Sequence, residues 1–304
     1  MEKELSKLTT ESRNPQSMNL SRLSSMEILQ TINNEDKKVA GAVEKVLPTI
    51  DKAVTHIYDS FRKDGRLFYV GAGTSGRLGV IDASECPPTF MTPPHMVQTV
   101  MAGGENAFIK AVEGSEDNES QGALDLKEKG LTTNDVVVGI TSSGRTPYPI
   151  GAVKYAKTIG AYTVSLSCNE QSEISLLADC PIEVIVGSEI LTGSTRMKAA
   201  TAHKMVLNMI STTVMVKMGK VYGNLMVDVH ASNHKLMERA KRIIMEITDV
   251  TYGEAEKTLL LANNQVKPAI IMIKAGVTFE KATEAITQAD GYVDGAILYA
   301  QKFK

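Results

Sequence analysis

Between residues 66 and 187 the apolar residues fall in short runs that break into glycine- or serine-rich loops. Each then resumes as a stretch with helical spacing. The pattern predicts strand 66–70, helix 75–86, strand 96–102, helices 105–113 and 118–129, strand 135–140, helix 149–159, strand 162–167, helix 172–177 and strand 182–187. Strands alternating with helices imply right-handed βαβ crossovers, and so an α/β, three-layer fold with a five-stranded parallel sheet covered on both faces. Upstream, residues 1 to about 22 carry no periodicity and read as an extended arm. Ser24-Ser25-Met26-Glu27 predicts an N-cap and a short helix. A longer helix is expected from Glu35-Asp36 to about Arg62, with Val39, Ala42, Val43, Val46 and Leu47 on one face.

Downstream, Thr195 to about Gly219 reads as one long helix rich in Met205, Met209, Met215 and Met218, a helix buried against the sheet or in a dimer interface. After Tyr222-Gly223-Asn224 the strand units stop. Helices are predicted at 225–246, 253–263, 279–288 and 290–301, with an apolar stretch at 267–274.

The most informative segment is Arg66 to Arg77, RLFYVGAGTSGR. A buried strand feeding a glycine loop at a helix N-terminus exposes backbone N–H groups and the positive end of a helix dipole, a natural site for phosphate. Gly71, Gly73 and Gly76 permit the tight path, and Thr74 and Ser75 add hydroxyl donors. The loop also satisfies G-x-G-x-x-G, but a dinucleotide site wants an acid at the end of the second strand to hold the ribose. Here that strand ends in glycine, and the first acid is Glu105. The pattern then recurs. Ser142-Ser143-Gly144-Arg145-Thr146 ends the third strand, and Thr192-Gly193-Ser194-Thr195-Arg196 precedes the long helix. Three hydroxyl-rich loops at strand ends open on one edge of a parallel sheet and fit a phosphorylated, hydroxyl-bearing ligand better than a dinucleotide.

Composition narrows the partners. The chain has 304 residues and a formal net charge of −2, which gives no global attraction to nucleic acid or to an anionic membrane. No run of about 18 apolar residues appears, and the polar N-terminus does not read as a signal peptide. Cys86, Cys168 and Cys180 lack C-x-x-C spacing and read as free, buried thiols of a reducing cytoplasm, with Cys86 as a nucleophile the lesser alternative. His230 and His234 stand four apart without a third ligand nearby, so no metal site is expected.

GAGTSGRLGVIDASECPPTF (71–90), AVEGSEDNE (111–119), SSGRTPY (142–148), TGSTRMKA (192–199) and GNLMVDV (223–229) together resemble the N-acetylmuramic acid 6-phosphate etherases of the sugar isomerase (SIS) superfamily, relatives of the glucokinase regulatory protein. The resemblance runs from about Leu8 to the C-terminus. It implies a cytoplasmic, homodimeric lyase that acts on an amino-sugar phosphate without metal, nucleotide or other cofactor. It also implies an N-terminal arm with helices at 1–56, a SIS domain at 57–220, and a helical region with a small subdomain at 221–304.

Breaking an alkyl ether near neutral pH calls for positioned acid and base groups. Glu85 stands before Pro87-Pro88, which are expected to end its helix, among small and apolar residues that would partly bury it. On sequence alone a solvated helix end is the favoured reading of Glu85, and Glu113, Glu116 and Asp117 are indistinguishable within one acidic turn. Only the resemblance selects Glu85 and Glu116, with Glu85 as proton donor. Phosphate is expected among Gly73, Thr74, Ser75, Ser142, Ser143 and Thr146, with Ser194 or Thr195 completing the shell. Arg77, Arg145, Arg196 and Lys198 are the local cations. A non-catalytic sugar-phosphate sensor and an aldose–ketose phosphate isomerase remain as alternatives on the same fold.

Overall fold

The computed structural model describes residues 8–110, 112–229 and 234–302; the His230–His234 pair therefore falls partly outside the described residues. Two compact units emerge, one of 1–83 with 95–211 and one of 84–94 with 212–304.

The first unit is built on five parallel strands, β1 (Leu67–Gly71), β2 (Val97–Met101), β3 (Val136–Ile140), β4 (Tyr162–Ser167) and β5 (Cys180–Glu183), in the order β2-β1-β3-β4-β5. β1 and β3 are buried along their whole length, as near-continuous apolar runs in a covered parallel sheet should be. Phe68, Val70 and Val137 pack on one face against Leu126 of α5 (Glu119–Glu128) and Tyr148, Ala152 and Ala156 of α6 (Pro147–Ile159). Tyr69 faces the other way, because successive strand side chains alternate. Its hydroxyl donates to Asp82 of α3 (Gly73–Phe90) at 3.0 Å, and Ser211 of α8 (Lys198–Lys217) donates to the same carboxylate at 3.2 Å. Burial pushes the Asp82 carboxyl above its usual range against the opposing pull of Lys204, Tyr69 and Ser211. These contacts place a helical layer on each side of the sheet.

Several sequence expectations are corrected. The break in the N-terminal helices falls not before Glu35 but between α1 (Ser25–Glu44) and α2 (Leu47–Phe61), where Pro48 opens the second helix. α3 runs through Pro87 and Pro88 to Phe90, because the ladder resumes with Met91 N–H donating to Pro87 at 2.9 Å. The fifth strand ends at Glu183 rather than 187. Its partner β4 stops at Ser167, which accepts the final bond from Val184 at 2.8 Å. Residues 9–22 form short 3₁₀ turns with Thr10 and Asn14 buried, so this stretch is a packed element rather than a loose arm.

The second unit carries a short hairpin, β6 (Val221–Tyr222) and β7 (Leu225–Met226), and five helices: α9 (His234–Thr248), α10 (Tyr252–Leu261), α11 (Val266–Ala275), α12 (Phe279–Gln288) and α13 (Val293–Lys302). Ala240, Ile244, Leu259 and Ile270 form its core, and Ala275, Ala282, Ala285 and Ala296 a smaller one. Of the predicted helix at 225–246, Leu225–Met226 belong instead to the hairpin, and the described helix covers the residues from His234 on. Among the described residues no helix is long and apolar enough to cross a membrane.

Candidate active site

In a sheet ordered 2-1-3-4-5, the crevice between the C-terminal ends of β1 and β3 is the topological switch point, where ligands bind. A cavity of about 230 Å³ opens there. Ala72, Gly73, Thr74 and Ser75 line it from the β1 side, and Ile140, Thr141, Ser142, Ser143 and Thr146 from the β3 side. Glu116, Thr195 and Glu11 complete its wall.

Glycine builds both loops for steric reasons. Gly73 takes φ +53°, and a Cβ on Gly76 would stand 2.8 Å from the Gly71 carbonyl oxygen. The helix N-terminus is thereby held hard against the strand end, with its free N–H groups facing the cavity. In the second loop Gly144 takes φ +73°, and its missing Cβ would overlap Ser172. Thr141 Oγ1 lies 2.8 Å from Thr146 Oγ1 and 3.3 Å from Ser143 Oγ, so the hydroxyls order one another before any ligand arrives. The Arg145 N–H donates to Ser143 Oγ at 3.2 Å.

One buried asparagine ties this loop to the N-terminal segment. Asn169 Nδ2 donates to the Ser142 carbonyl oxygen at 3.0 Å and to Thr10 Oγ1 at 3.2 Å, and its Oδ1 accepts from the Thr9 N–H at 2.8 Å. Glu11 is carried into the cavity wall by that clamp.

Of the residues expected from sequence, the cavity gathers Gly73, Thr74, Ser75, Ser142, Ser143, Thr146 and Glu116. Thr195 lines it rather than Ser194, and the half-buried Arg145 is not part of the lining. Two other cations are committed elsewhere. Arg77 donates to the carbonyl oxygens of Phe108 at 3.0 Å and Ala107 at 2.8 Å. Lys198 is buried, its Nζ 2.7 Å from Glu35 Oε2. Arg196 is exposed. Glu85 belongs to the second unit and is exposed, as the solvated helix-end reading has it and not as the partial burial considered for an acid. Sequence reasoning missed Glu11, Thr141 and Asn169. Thr141 directly precedes Ser142 and was within reach of the same logic, whereas nothing local marks the other two. Cys86, Cys168 and Cys180 are buried and form no disulfide among the described residues, and burial pushes the Cys168 thiol far above its usual range. No group of three or more potential metal ligands occurs among the described residues. A larger cavity of about 630 Å³ lies beside β2, lined by Thr99, Phe108, Gln121 and Asp125, outside the switch point.

The buried Glu35–Lys198 pair secures the third loop. Burial alone would raise the Glu35 carboxyl, but Lys198, Lys38 and Asn14 outweigh it and hold it at about 2. Glu189, fully buried, accepts from the N–H groups of Lys198 at 3.0 Å and Ala199 at 2.9 Å, and so caps α8. Lys198→Met would strand a buried carboxylate, and urea unfolding is expected to show a loss of about 3–5 kcal/mol. A depressed carboxylate pKa stabilises above its unfolded value. The wild-type contribution is therefore full above about 4.5 and disappears as pH falls toward about 2. Lys198→Met should flatten that part of the stability–pH curve, and an unaltered curve would contradict the pairing.

The sequence comparisons agree with this layout. Residues 49–157 match the N-terminal SIS domain of glucokinase regulatory protein, 118–217 the SIS domain, and 223–302 the C-terminal lid domain of glucokinase regulatory protein. The N-acetylmuramic acid 6-phosphate etherase of Bacillus pumilus is 57% identical over 298 residues, covering 98% of each chain. That of Bacillus subtilis is 56% identical over 293 residues, 96% of each chain. The chain belongs to the N-acetylmuramic acid 6-phosphate etherase family. The Clostridioides difficile etherase is 51% identical over 300 residues, covering 99% of each chain. Among solved structures, a phosphoheptose isomerase from Francisella tularensis has a TM-score of 0.52 at 17% identity, covering 64% of this chain and 100% of its own. One from Neisseria gonorrhoeae scores 0.50, also at 17% identity, covering 63% and 98%. These two share the SIS fold of the etherase family.

Proposed function

We propose that this chain is a carbon–oxygen lyase. It opens the D-lactyl ether of N-acetylmuramic acid 6-phosphate to give N-acetylglucosamine 6-phosphate and D-lactate. The observation that carries the reading is the cradle of N–H and hydroxyl donors at the β1/β3 switch point, with Glu116 in the same cavity wall, in a chain matched along its length by etherases.

The chemistry follows from the substrate. Ring opening makes carbon 1 an aldehyde, which acidifies the carbon 2 proton. Glu116 removes that proton as base. The electron pair forms a double bond between carbons 2 and 3 as the carbon 3–oxygen bond breaks. An acid delivers a proton to the departing lactate oxygen, the role the resemblance gives to Glu85. Water then adds its hydroxyl at carbon 3, and a proton returns to carbon 2. One water is consumed and one lactate released.

Glu85 carries a further consequence. By Ala83, ten residues beyond Gly73, α3 has run about 15 Å from the cradle. Glu85 follows in the second unit. The reading includes the homodimer that the resemblance implies, with Glu85 assigned to the partner's site. The phosphorylated substrate and three cysteines that form no disulfide among the described residues favour a cytoplasmic location.

Incubation with N-acetylmuramic acid 6-phosphate should release D-lactate. In D₂O the amino-sugar product should carry deuterium at carbon 2. In ¹⁸O water it should carry label at carbon 3, with the lactate unlabelled. Absence of lactate, with interconversion of aldose and ketose phosphates instead, would replace the lyase with an isomerase, and label in lactate would replace elimination with displacement at the lactyl carbon.

A further inference from the structure

The cavity at the switch point holds a second carboxylate that the reaction above does not use. Glu11 comes from a segment with no hydrophobic periodicity, yet that segment is fixed with unusual care. Asn169 grips Thr9 and Thr10, Asn14 donates to the Ser188 carbonyl oxygen at 2.9 Å, and Ser17 donates to that of Ile190 at 2.7 Å. Ordering such a stretch costs roughly 1–2 kcal/mol of backbone entropy per residue, which a spacer would not need to spend. The tethers hold Glu11 over the third loop. A Cβ on Gly193 would lie 3.2 Å from Glu11 Oε2, and Gly193 itself takes φ +75°.

An ionised carboxylate only accepts hydrogen bonds, so it does not bind phosphate, and a like charge beside a phosphate is repulsive. The cradle is the reverse, a set of donors. A cavity with donors at one part of its wall and an acceptor at another matches a ligand with an anionic end and hydroxyl or amide donors elsewhere. Among the described residues no side chain donates to the Glu11 carboxylate, so its acceptor capacity faces the cavity.

We propose that Glu11 is a substrate-binding residue. Its carboxylate accepts hydrogen bonds from the sugar's hydroxyl or amide donors while the phosphate occupies the cradle. This rests on the sugar-phosphate reading of the site, but not on ether cleavage. The role explains why the N-terminal segment is bolted to the Ser142 loop. The clamp at Asn169 sets the distance between the acceptor and the donors, and so the length of ligand that satisfies both.

The test uses the full chain with Glu11→Gln and Glu11→Ala. Titration calorimetry would follow N-acetylglucosamine 6-phosphate and, separately, inorganic phosphate, and D-lactate release would give kcat and KM. Losing a charge-assisted bond should weaken sugar-phosphate binding roughly ten- to hundredfold and raise KM in step, with the glutamine variant less affected than the alanine. Affinity for inorganic phosphate should be unchanged or increased, because a repulsive neighbour has gone. A structural role would instead weaken both ligands together and lower the melting temperature. Either that pattern or unchanged sugar-phosphate affinity in both variants overturns the proposal. A wild-type chain that binds the sugar phosphate but releases no lactate overturns the lyase reading alone, and the calorimetry still decides Glu11. A wild-type chain that binds no sugar phosphate overturns both.

Discussion

Glu85→Gln and Glu116→Gln should each lose about 10²–10⁴-fold in lactate release, and co-refolding the two inactive chains should restore about a quarter of wild-type activity. The loss follows from removing a general acid or base. The recovery follows from the proposed sharing of each site between two subunits. If Glu85 acts in the partner's site, a hybrid dimer has one site with both substitutions and one with neither. Random pairing makes half the dimers hybrids, so about one site in four is intact. If both glutamates act within one chain, every hybrid site carries one lesion and no activity returns above either parent. The variants should also separate the proton transfers. Glu116→Gln should suppress exchange of the carbon 2 proton with D₂O. Glu85→Gln should leave exchange in the substrate measurable, because the base remains while the leaving group stalls. The reverse pattern would swap the two roles.

What could be read from the sequence follows the range of the forces involved. β1 and β3 were legible almost to the residue, because a strand buried on both faces must be apolar throughout and each ends in a loop of small residues. The end of β5 was not. Val184 and Val186 are as apolar as the strand before them, and only the end of β4 removes their partner. Pro48 and Pro87-Pro88 look alike as breakers, yet one opens a helix and the others sit within one. The site divides in the same way. Thr74, Ser75, Ser142, Ser143 and Thr146 announce themselves by position at strand ends. Glu116 is one acid among several, and only likeness to known sequences selects it. Glu11 depends on Asn169, some 160 residues away in the chain, and no local pattern encodes such a contact.

Gly144→Ala should lower the stability of the chain by about 2–5 kcal/mol and weaken binding of inorganic phosphate more than tenfold. Two costs add at this position. At φ +73° a Cβ meets the backbone, worth about 1–2 kcal/mol. It would also lie 2.2 Å from Ser172 Cβ and 2.4 Å from its Oγ, an overpacking of about 1–3 kcal/mol. Relief by moving Ser172 is blocked, because its hydroxyl lies 3.2 Å from Ser167 Oγ and 2.8 Å from Ser175 Oγ. The loop must shift instead. Ile174 N–H donates to the Gly144 carbonyl oxygen at 3.0 Å, and Ser143 and Thr146 share Thr141 as hydroxyl partner, so a shift at Gly144 moves the donors that face the ligand. Gly104→Ala is the control. It has φ +66° but nothing within 4 Å of its Cβ, and should show the backbone cost alone with phosphate affinity intact. Equal losses in the two variants, by urea unfolding and phosphate titration, would mean that the clash with Ser172 is absorbed and that the cradle is not rigidly built.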